Sequence, residues 1–138
     1  MRPRTTLGAL IGCVLLLSAC SAASPSPSAT AIAATLKEYA IQLSSTDAKA
    51  GPVTFTVTNS GTMVHEFVVL KTDIQAADLP LTNGEVNEDD FTSMGEVADL
   101  AAGATGTLAV TLAAGHYAII CNLPGHVAQG MVTDFTVR

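Results

Sequence analysis

Three residues near the carboxyl end of the chain combine side chains that bind soft metal ions. In the stretch CNLPGHVAQGM, Cys121, His126 and Met131 follow one another with four residues between neighbours. Five residues of extended chain span roughly 17 Å, whereas the donor atoms around one zinc ion lie only about 2.0–2.3 Å from it. A shared metal ion therefore requires the chain to turn back twice between these side chains.

The residues between the donors are suited to such turns. Pro124 and Gly125 lie between the cysteine and the histidine, and proline presets φ while glycine accepts positive φ. Gly130 relaxes the backbone immediately before the methionine. The sequence thus predicts one loop that presents a thiolate, an imidazole and a thioether to a common point.

His65 is the natural fourth donor. In the predicted strand MVHEFVVL, residues 63–70, alternation places His65, Phe67 and Val69 on one face and Glu66 on the other. A histidine on an apolar face is more often a hydrogen-bonded core residue than a ligand. The loop still lacks a second imidazole, however, and we therefore predict that His65 completes the set.

The cysteine has two interpretations, an inert buried thiol or a metal ligand. Apart from Cys20 near the amino end, the mature chain holds only Cys121, so a structural disulfide within the domain is excluded. Two imidazoles, a thiolate and a weak axial thioether are the ligand set of a blue-copper site. A structural zinc site would favour Cys or His in place of Met131. We predict one copper ion, as Cu(I) or Cu(II), held by these four side chains.

The same ligand set argues against catalysis. All four strong positions around the metal are occupied, which leaves no open position for a substrate, and the chain is not expected to be an enzyme. Strand parity places His116 on the face opposite Cys121, and we predict that it lies at the surface. Met63 and Met94 are predicted to pack against the core.

The amino-terminal segment has the pattern of a secretory signal. Two arginines precede the apolar run 7–17, and small residues and Cys20 follow it. The run is short for a bilayer span, so a permanent transmembrane helix is the weaker interpretation. The sequence LSAC resembles a bacterial lipobox, which implies removal of residues 1–19 and lipidation of Cys20; the alternative is an ordinary signal with an incidental cysteine. Residues 20–35, rich in Ser, Pro and Ala, are predicted to form a flexible tether.

The charge of the chain limits its partners. Without the signal it keeps four Lys and Arg against twelve carboxylates, a net charge of −8. Such a surface repels nucleic acid and anionic lipid heads and favours a basic partner. Part of the acidity lies in residues 72–92, which contain Pro80, Asn83 and Gly84 and an acidic run at 88–90. This acidic insert is predicted to be solvated.

From residue 36 onward the dominant hydrophobic period is two. Strands are predicted at 36–43, 53–58, 107–112, 116–121 and 130–137, in addition to 63–70, with glycine-bearing breaks between several of them. Six or more short strands in roughly 100 residues are typical of an antiparallel β-sandwich. We predict an all-β, single domain spanning residues 36–138.

The sequence resembles the cupredoxin family over residues 36–138. The resemblance rests on NSGTMVHEF around His65 and on GHYAIICNLPGHVAQGM, whose spacing is similar to that of rusticyanin and sulfocyanin. It implies a Greek-key β-sandwich with type 1 copper near one end and electron passage through the ring edge of His126. Many members carry Asn or Ser after the first histidine, where this chain has Glu66. Its backbone N–H would remain to brace the cysteine sulfur, and Asn122 either adds a further bond at the site or only stabilises the loop.

These features predict an extracytoplasmic protein, periplasmic or at the cell surface, that shuttles single electrons between redox partners. We expect a monomer with redox protein partners that present a basic docking surface, and membrane attachment only through the N-terminal lipid. Two alternatives stay open: copper binding, buffering or delivery without electron transfer, and a cupredoxin-like domain that folds without metal. A binuclear centre would need a second loop cysteine, and a multicopper oxidase more than three histidines.

Overall fold

A computed structural model describes residues 28–138 of the chain. The predicted signal peptide, residues 1–19, and the lipidation site Cys20 lie outside the described residues and stay predictions. Among the residues described, no helix has the length and hydrophobicity needed to cross a membrane.

Eleven strands within residues 28–138 form two sheets and a small hairpin. In chain order they are β1 (Thr30–Lys37), β2 (Ala40–Leu43), β3 (Asp47–Ala48), β4 (Gly51–Asn59), β5 (His65–Lys71), β6 (Leu81–Thr82), β7 (Glu85–Val86), β8 (Thr92–Leu100), β9 (Thr105–Leu112), β10 (Gly115–Ile120) and β11 (Val132–Val137). Short 3₁₀ turns lie at Ala76–Asp78, Glu88–Asp90 and Val127–Gln129.

The two sheets pack face to face as a β-sandwich, which confirms the predicted all-β class. One sheet has the strand order β2-β1-β4-β9 and the other β3-β11-β10-β5-β8. The sheets are mixed, since β1 runs parallel to β4 and β3 runs parallel to β11. The sandwich predicted as antiparallel thus contains two parallel strand pairs.

Strand β1 corrects the predicted start of the domain. It begins at Thr30, six residues before residue 36, and its inward side chains Ile32, Ala34 and Leu36 are buried. The Ala- and Thr-rich composition concealed this strand, because only two of its inward residues are large. A turn at residues 38–39 then separates β1 from β2, where the sequence predicted one continuous strand.

The main core lies between the sheets and is built around three phenylalanines. The ring of Phe55 on β4 lies 5.2 Å from Phe67 on β5 and 5.4 Å from Phe135 on β11, measured between centroids. All three are fully buried, and Cys121 and Met131 belong to the same cluster. One end of this core is therefore the place where the predicted donors meet.

The acidic insert, residues 72–92, is more ordered than the sequence predicted. Its side chains Ala76, Leu79 and Val86 are buried in a second cluster against the outer faces of β5 and β10. Those strands contain unbroken apolar runs, FVVL and YAII, whose residues are fully buried on both faces. The insert supplies the outer cover that these runs require, while four of its acidic residues are exposed: Asp73, Asp78, Asp89 and Asp90.

Candidate metal centre

The metal loop, residues 121–131, connects β10 to β11 and turns back twice, as its spacing requires. Gly125 and Gly130 adopt φ of 79° and 93°, values that an L side chain rarely adopts. The Met131 N–H donates to the His126 carbonyl at 3.1 Å, and the Cys121 N–H donates to the Met131 carbonyl at 3.1 Å. These bonds place the cysteine, histidine and methionine at one end of the sandwich.

The structure brings three predicted donors together. The Cys121 Sγ lies 3.2 Å from Nδ1 of His126 and 3.8 Å from Nδ1 of His65, and the two Nδ1 atoms are 3.3 Å apart. His65 opens β5 and faces inward, as strand parity predicted. His65 and Cys121 are fully buried, and His126 keeps 6% of its surface exposed. Three donors from one loop and one strand thus face a common point.

The spacing of these atoms fits a single bound metal ion. Donors that surround one ion at about 2.0–2.3 Å, with angles near tetrahedral or trigonal, lie about 3.3–3.8 Å from each other. The three observed distances fall within or close to that interval. Met131 is fully buried in the same cluster as Cys121 and is tied to it by backbone hydrogen bonding. The site therefore offers two imidazoles, a thiol and a nearby thioether.

The comparisons with known proteins agree with this donor set. A family model described as a cupredoxin-like domain matches residues 8–133. The chain belongs to this family. A search of curated proteins found no match.

Solved structures show the same fold at low sequence identity. The cupredoxin-like domain is similar to the reduced auracyanin of Roseiflexus castenholzii (20% identity, TM-score 0.56, 83% of this chain and 99% of that chain). It is also similar to auracyanin A, a "blue" copper protein of Chloroflexus aurantiacus (24% identity, TM-score 0.56, 80% of this chain and 100% of that chain). Reduced rusticyanin is similar as well (18% identity, TM-score 0.57, 82% of this chain and 83% of that chain). Together with the geometry above, the His65, Cys121, His126 and Met131 set of this cupredoxin fits one type 1 copper ion.

The backbone of Glu66 braces the Cys121 sulfur, as the family resemblance implied. The Glu66 backbone N–H lies 3.3 Å from Sγ and donates to it, and its side chain points to the other face of β5. Burial raises the pKa of the Cys121 thiol, with hydrogen bonds from Glu66 and Leu123 opposing that shift. The thiol is therefore protonated at neutral pH in the metal-free protein, and metal binding must release a proton.

Burial also shifts the pKa values of Glu66 and His126. Burial raises the pKa of Glu66 to about 6, and the nearby carboxylates of Glu88, Glu96 and Asp99 add to the shift. Burial and the neighbouring His65 lower the pKa of His126. A neutral imidazole keeps the lone pair that a metal ligand needs.

His126 is the ligand that approaches the surface. Its ring meets Tyr39 edge to face, with centroids 5.1 Å apart. Met63 and Val64, directly before His65, are 43% and 44% exposed, so the prediction that Met63 packs in the core is wrong. The surface at this end of the domain is therefore partly exposed and includes the aromatic ring of Tyr39 and the apolar side chains of Met63 and Val64.

Asn122 joins the metal loop to the acidic insert. Its Oδ1 accepts a bond from the Val86 N–H at 2.7 Å, and its Nδ2 donates to the Val86 carbonyl and to Glu88 Oε1, both at 2.9 Å. Gly84 also lies against Gly125, where an added Cβ would stand 3.3 Å from the backbone. Of the two predicted roles of Asn122, these bonds show the second, stabilisation of the loop. Pro124 lies exposed at the turn beside Gly125.

His116 lies on the outer face of β10, away from the donors, as parity predicted. One ring nitrogen lies 2.7 Å from the Thr72 carbonyl oxygen and the other lies 2.9 Å from Asp134 Oδ1. It therefore fastens the start of the insert to the sheet. Met94 is partly buried and packs against the main core, as predicted.

Two residues that support the site were missed by the sequence analysis. Asn59 is fully buried, and Glu38 Oε1 accepts bonds from the Thr62 and Met63 N–H groups at 2.5 and 2.8 Å. The same oxygen lies 3.4 Å from Nε2 of His65. A hydrogen bond to Met63 is the main cause that lowers the pKa of Glu38 to about 2. No local motif marks Glu38, whereas Asn59 in the turn NSG carries the weak signal of a turn former.

Proposed function

We propose that this cupredoxin carries single electrons between redox proteins. The observation that supports the proposal most is the buried donor cluster of His65, Cys121 and His126, whose ligand atoms all lie within 4.8 Å of one another. A copper ion bound there would supply one-electron chemistry. The chain itself holds the donors at fixed separations and excludes water, so that little needs to move when the charge of the site changes.

His126 is the proposed route between the site and the surface. His65 and Cys121 are fully buried, whereas His126 retains exposure and contacts the partly buried Tyr39. Exposed Met63 and Val64 belong to the segment that leads to His65. A partner that covers this end would approach the donor cluster without any rearrangement of the fold.

The proposed partners are redox proteins with a basic docking surface. The chain has a large acidic excess, and Asn122 holds the acidic residue Glu88 close to the metal loop. Attraction between such surfaces weakens with salt. Electron exchange with a basic redox protein should therefore slow as ionic strength rises, and a rate that does not respond to salt would contradict this choice of partner.

The proposed location is outside the cytoplasm, with attachment through lipidated Cys20. This proposal rests on the signal-like sequence and the LSAC motif. In the full chain, Cys20→Ser should move the protein from the membrane fraction to the soluble fraction. Retention of the variant on the membrane would contradict lipid attachment. Because the donor set leaves no open position, we propose no enzymatic reaction.

A visible spectrum after addition of Cu(II) tests the proposed function. A chain of residues 21–138, which retains every described strand, should develop an intense thiolate-to-copper band that reductant bleaches reversibly. Cys121→Ala should abolish the band, and Met131→Leu should retain colour but change the reduction potential. A colourless protein that binds Cu(I) and passes it to a chelator would overturn electron transfer in favour of copper delivery.

A further inference from the structure

Glu38 lies beside the predicted metal ligand His65, although it belongs to a part of the chain that supplies no metal ligand itself. It lies in the turn between β1 and β2, and its Oε1 is 3.4 Å from Nε2 of His65. The other ring nitrogen, Nδ1, faces Cys121 and His126. Nε2 is fully buried and makes no hydrogen bond to any residue in 28–138. The carboxylate of Glu38 is therefore the acceptor placed nearest to this otherwise unpaired nitrogen.

The position of the proton on His65 decides whether the residue can bind a metal through Nδ1. A neutral imidazole carries one proton, so a free lone pair on Nδ1 requires the proton on Nε2. Histidine ligands usually donate that second N–H to a carboxylate or carbonyl, which fixes the tautomer and the ring orientation. A carboxylate beside Nε2 favours this arrangement by charge as well as by hydrogen bonding.

The protein holds the Glu38 carboxylate in place. The N–H groups of Thr62 and Met63 both donate to Oε1, so the oxygen that faces His65 is already oriented by backbone. Gly61 leaves the space that the carboxylate occupies, since an added Cβ at that position would overlap it. The same hydrogen bonds lower the pKa of the Glu38 carboxyl group.

We propose that Glu38 is a positioning residue for the metal centre: its carboxylate selects the Nε2–H tautomer of His65 and its negative charge stabilises Cu(II) relative to Cu(I). The inference rests on the copper site of the proposed function. The competing interpretation is that Glu38 only anchors the loop at Thr62 and Met63. The two interpretations predict different effects on the His65 tautomer and on Cu(II) binding when Glu38 is replaced by a neutral residue of the same shape.

Two substitutions separate charge from anchoring. Glu38→Gln retains an oxygen that can accept the Thr62 and Met63 bonds but removes the charge, whereas Glu38→Ala removes both. Asp73→Asn is the matched control, because Asp73 is exposed and removal of its charge leaves the Glu38 contacts intact. All four chains would span residues 21–138.

The tautomer is read in the metal-free protein by long-range ¹⁵N–¹H NMR correlations at about pH 8, above the usual histidine pKa. The wild type and Asp73→Asn should show His65 as the Nε2–H form, and Glu38→Gln should shift it measurably toward Nδ1–H. Cu(II) affinity should fall about 10- to 100-fold in Glu38→Gln. If the substitution weakens Cu(II) affinity more than Cu(I) affinity, the reduction potential should rise by about 59 mV for each tenfold fall in the ratio of the two affinities.

The anchoring interpretation predicts a different result. The proposed role is overturned if Glu38→Gln has the same His65 tautomer, Cu(II) affinity and reduction potential as the Asp73→Asn control. In that case only Glu38→Ala would lose metal. The NMR measurement contains no copper, so its result is independent of the blue band. Absence of that band in the wild type would overturn the electron-transfer function, whereas an unchanged tautomer in Glu38→Gln would overturn the role of Glu38.

Discussion

Replacement of Asn59 by alanine should destabilise the domain strongly. The Asn59 side chain is fully buried; its Nδ2 donates to the carbonyls of Met63 at 2.7 Å and Leu100 at 2.8 Å, and its Oδ1 accepts the Gly61 N–H at 2.9 Å. It thus joins the end of β4 to the end of β8 and to the segment that leads to His65. Alanine can make none of these three bonds.

The cost can be estimated bond by bond. The bond to Leu100 is buried, so its carbonyl loses a partner that water does not replace, at about 1–3 kcal/mol. The bonds to Met63 and Gly61 are partly exposed, and each contributes about 0.5–1.5 kcal/mol. The free energy of unfolding should therefore fall by about 2–6 kcal/mol. At about 4 °C per kcal/mol, the Tm should fall by about 8–24 °C.

Thermal and urea unfolding of the metal-free chain, followed by circular dichroism, would measure this loss. Asn87→Ala is the matched control, since Asn87 is exposed and its side chain makes no cap hydrogen bond; its effect should stay within about 0.5 kcal/mol. A difference between the two variants below about 1 kcal/mol would refute the reasoning. Copper-loaded Asn59→Ala should also release the metal faster, because the His65 segment is less firmly held.

Three other variants test separate features. Gly84→Ala should destabilise more than Gly103→Ala in unfolding assays: both adopt positive φ, but only Gly84 lies against the metal loop, and equal losses would contradict the close contact. The raised pKa of Glu66 means that its protonated form stabilises the fold below about pH 4.5 and that this contribution is lost as pH rises through about 6. Metal-free Glu66→Gln should therefore gain about 1 kcal/mol over wild type at about pH 8, after allowance for its exposure, and nothing at about pH 4; an equal gain at both would rule this out. His116→Leu should speed proteolysis within residues 72–92, and an unchanged cleavage rate would show that His116 does not fasten the insert.

The donor cluster could be predicted from the sequence because its information is local. Cys121, His126 and Met131 lie within eleven residues, and the glycines between them indicate where the chain turns. His65 required only the alternation of one strand, since every second side chain shares a face. The backbone support from Glu66 was implied by the cupredoxin resemblance, and alternation indicated only that its side chain faces the other way.

The parts that could not be predicted depend on contacts between distant segments. Glu38 and His65 are 27 positions apart, and nothing in either stretch indicates that a turn and a strand end will meet. The insert looked solvated because its acidic residues are conspicuous, while the few apolar residues that cover β5 and β10 are scattered through it. Strand β1 was missed because small inward residues give a weak alternation signal.

The direction of β1 determines how the domain stands relative to anything attached at its amino end. Thr30 pairs with Val53 and Leu36 with Asn59, so the strand runs toward the donor cluster over about 23 Å. A chain held by residues before Thr30 is therefore held at the pole opposite the metal. If Cys20 carries a lipid, the donor cluster lies at the pole far from that anchor, and the proposed redox partners would approach it from the aqueous side.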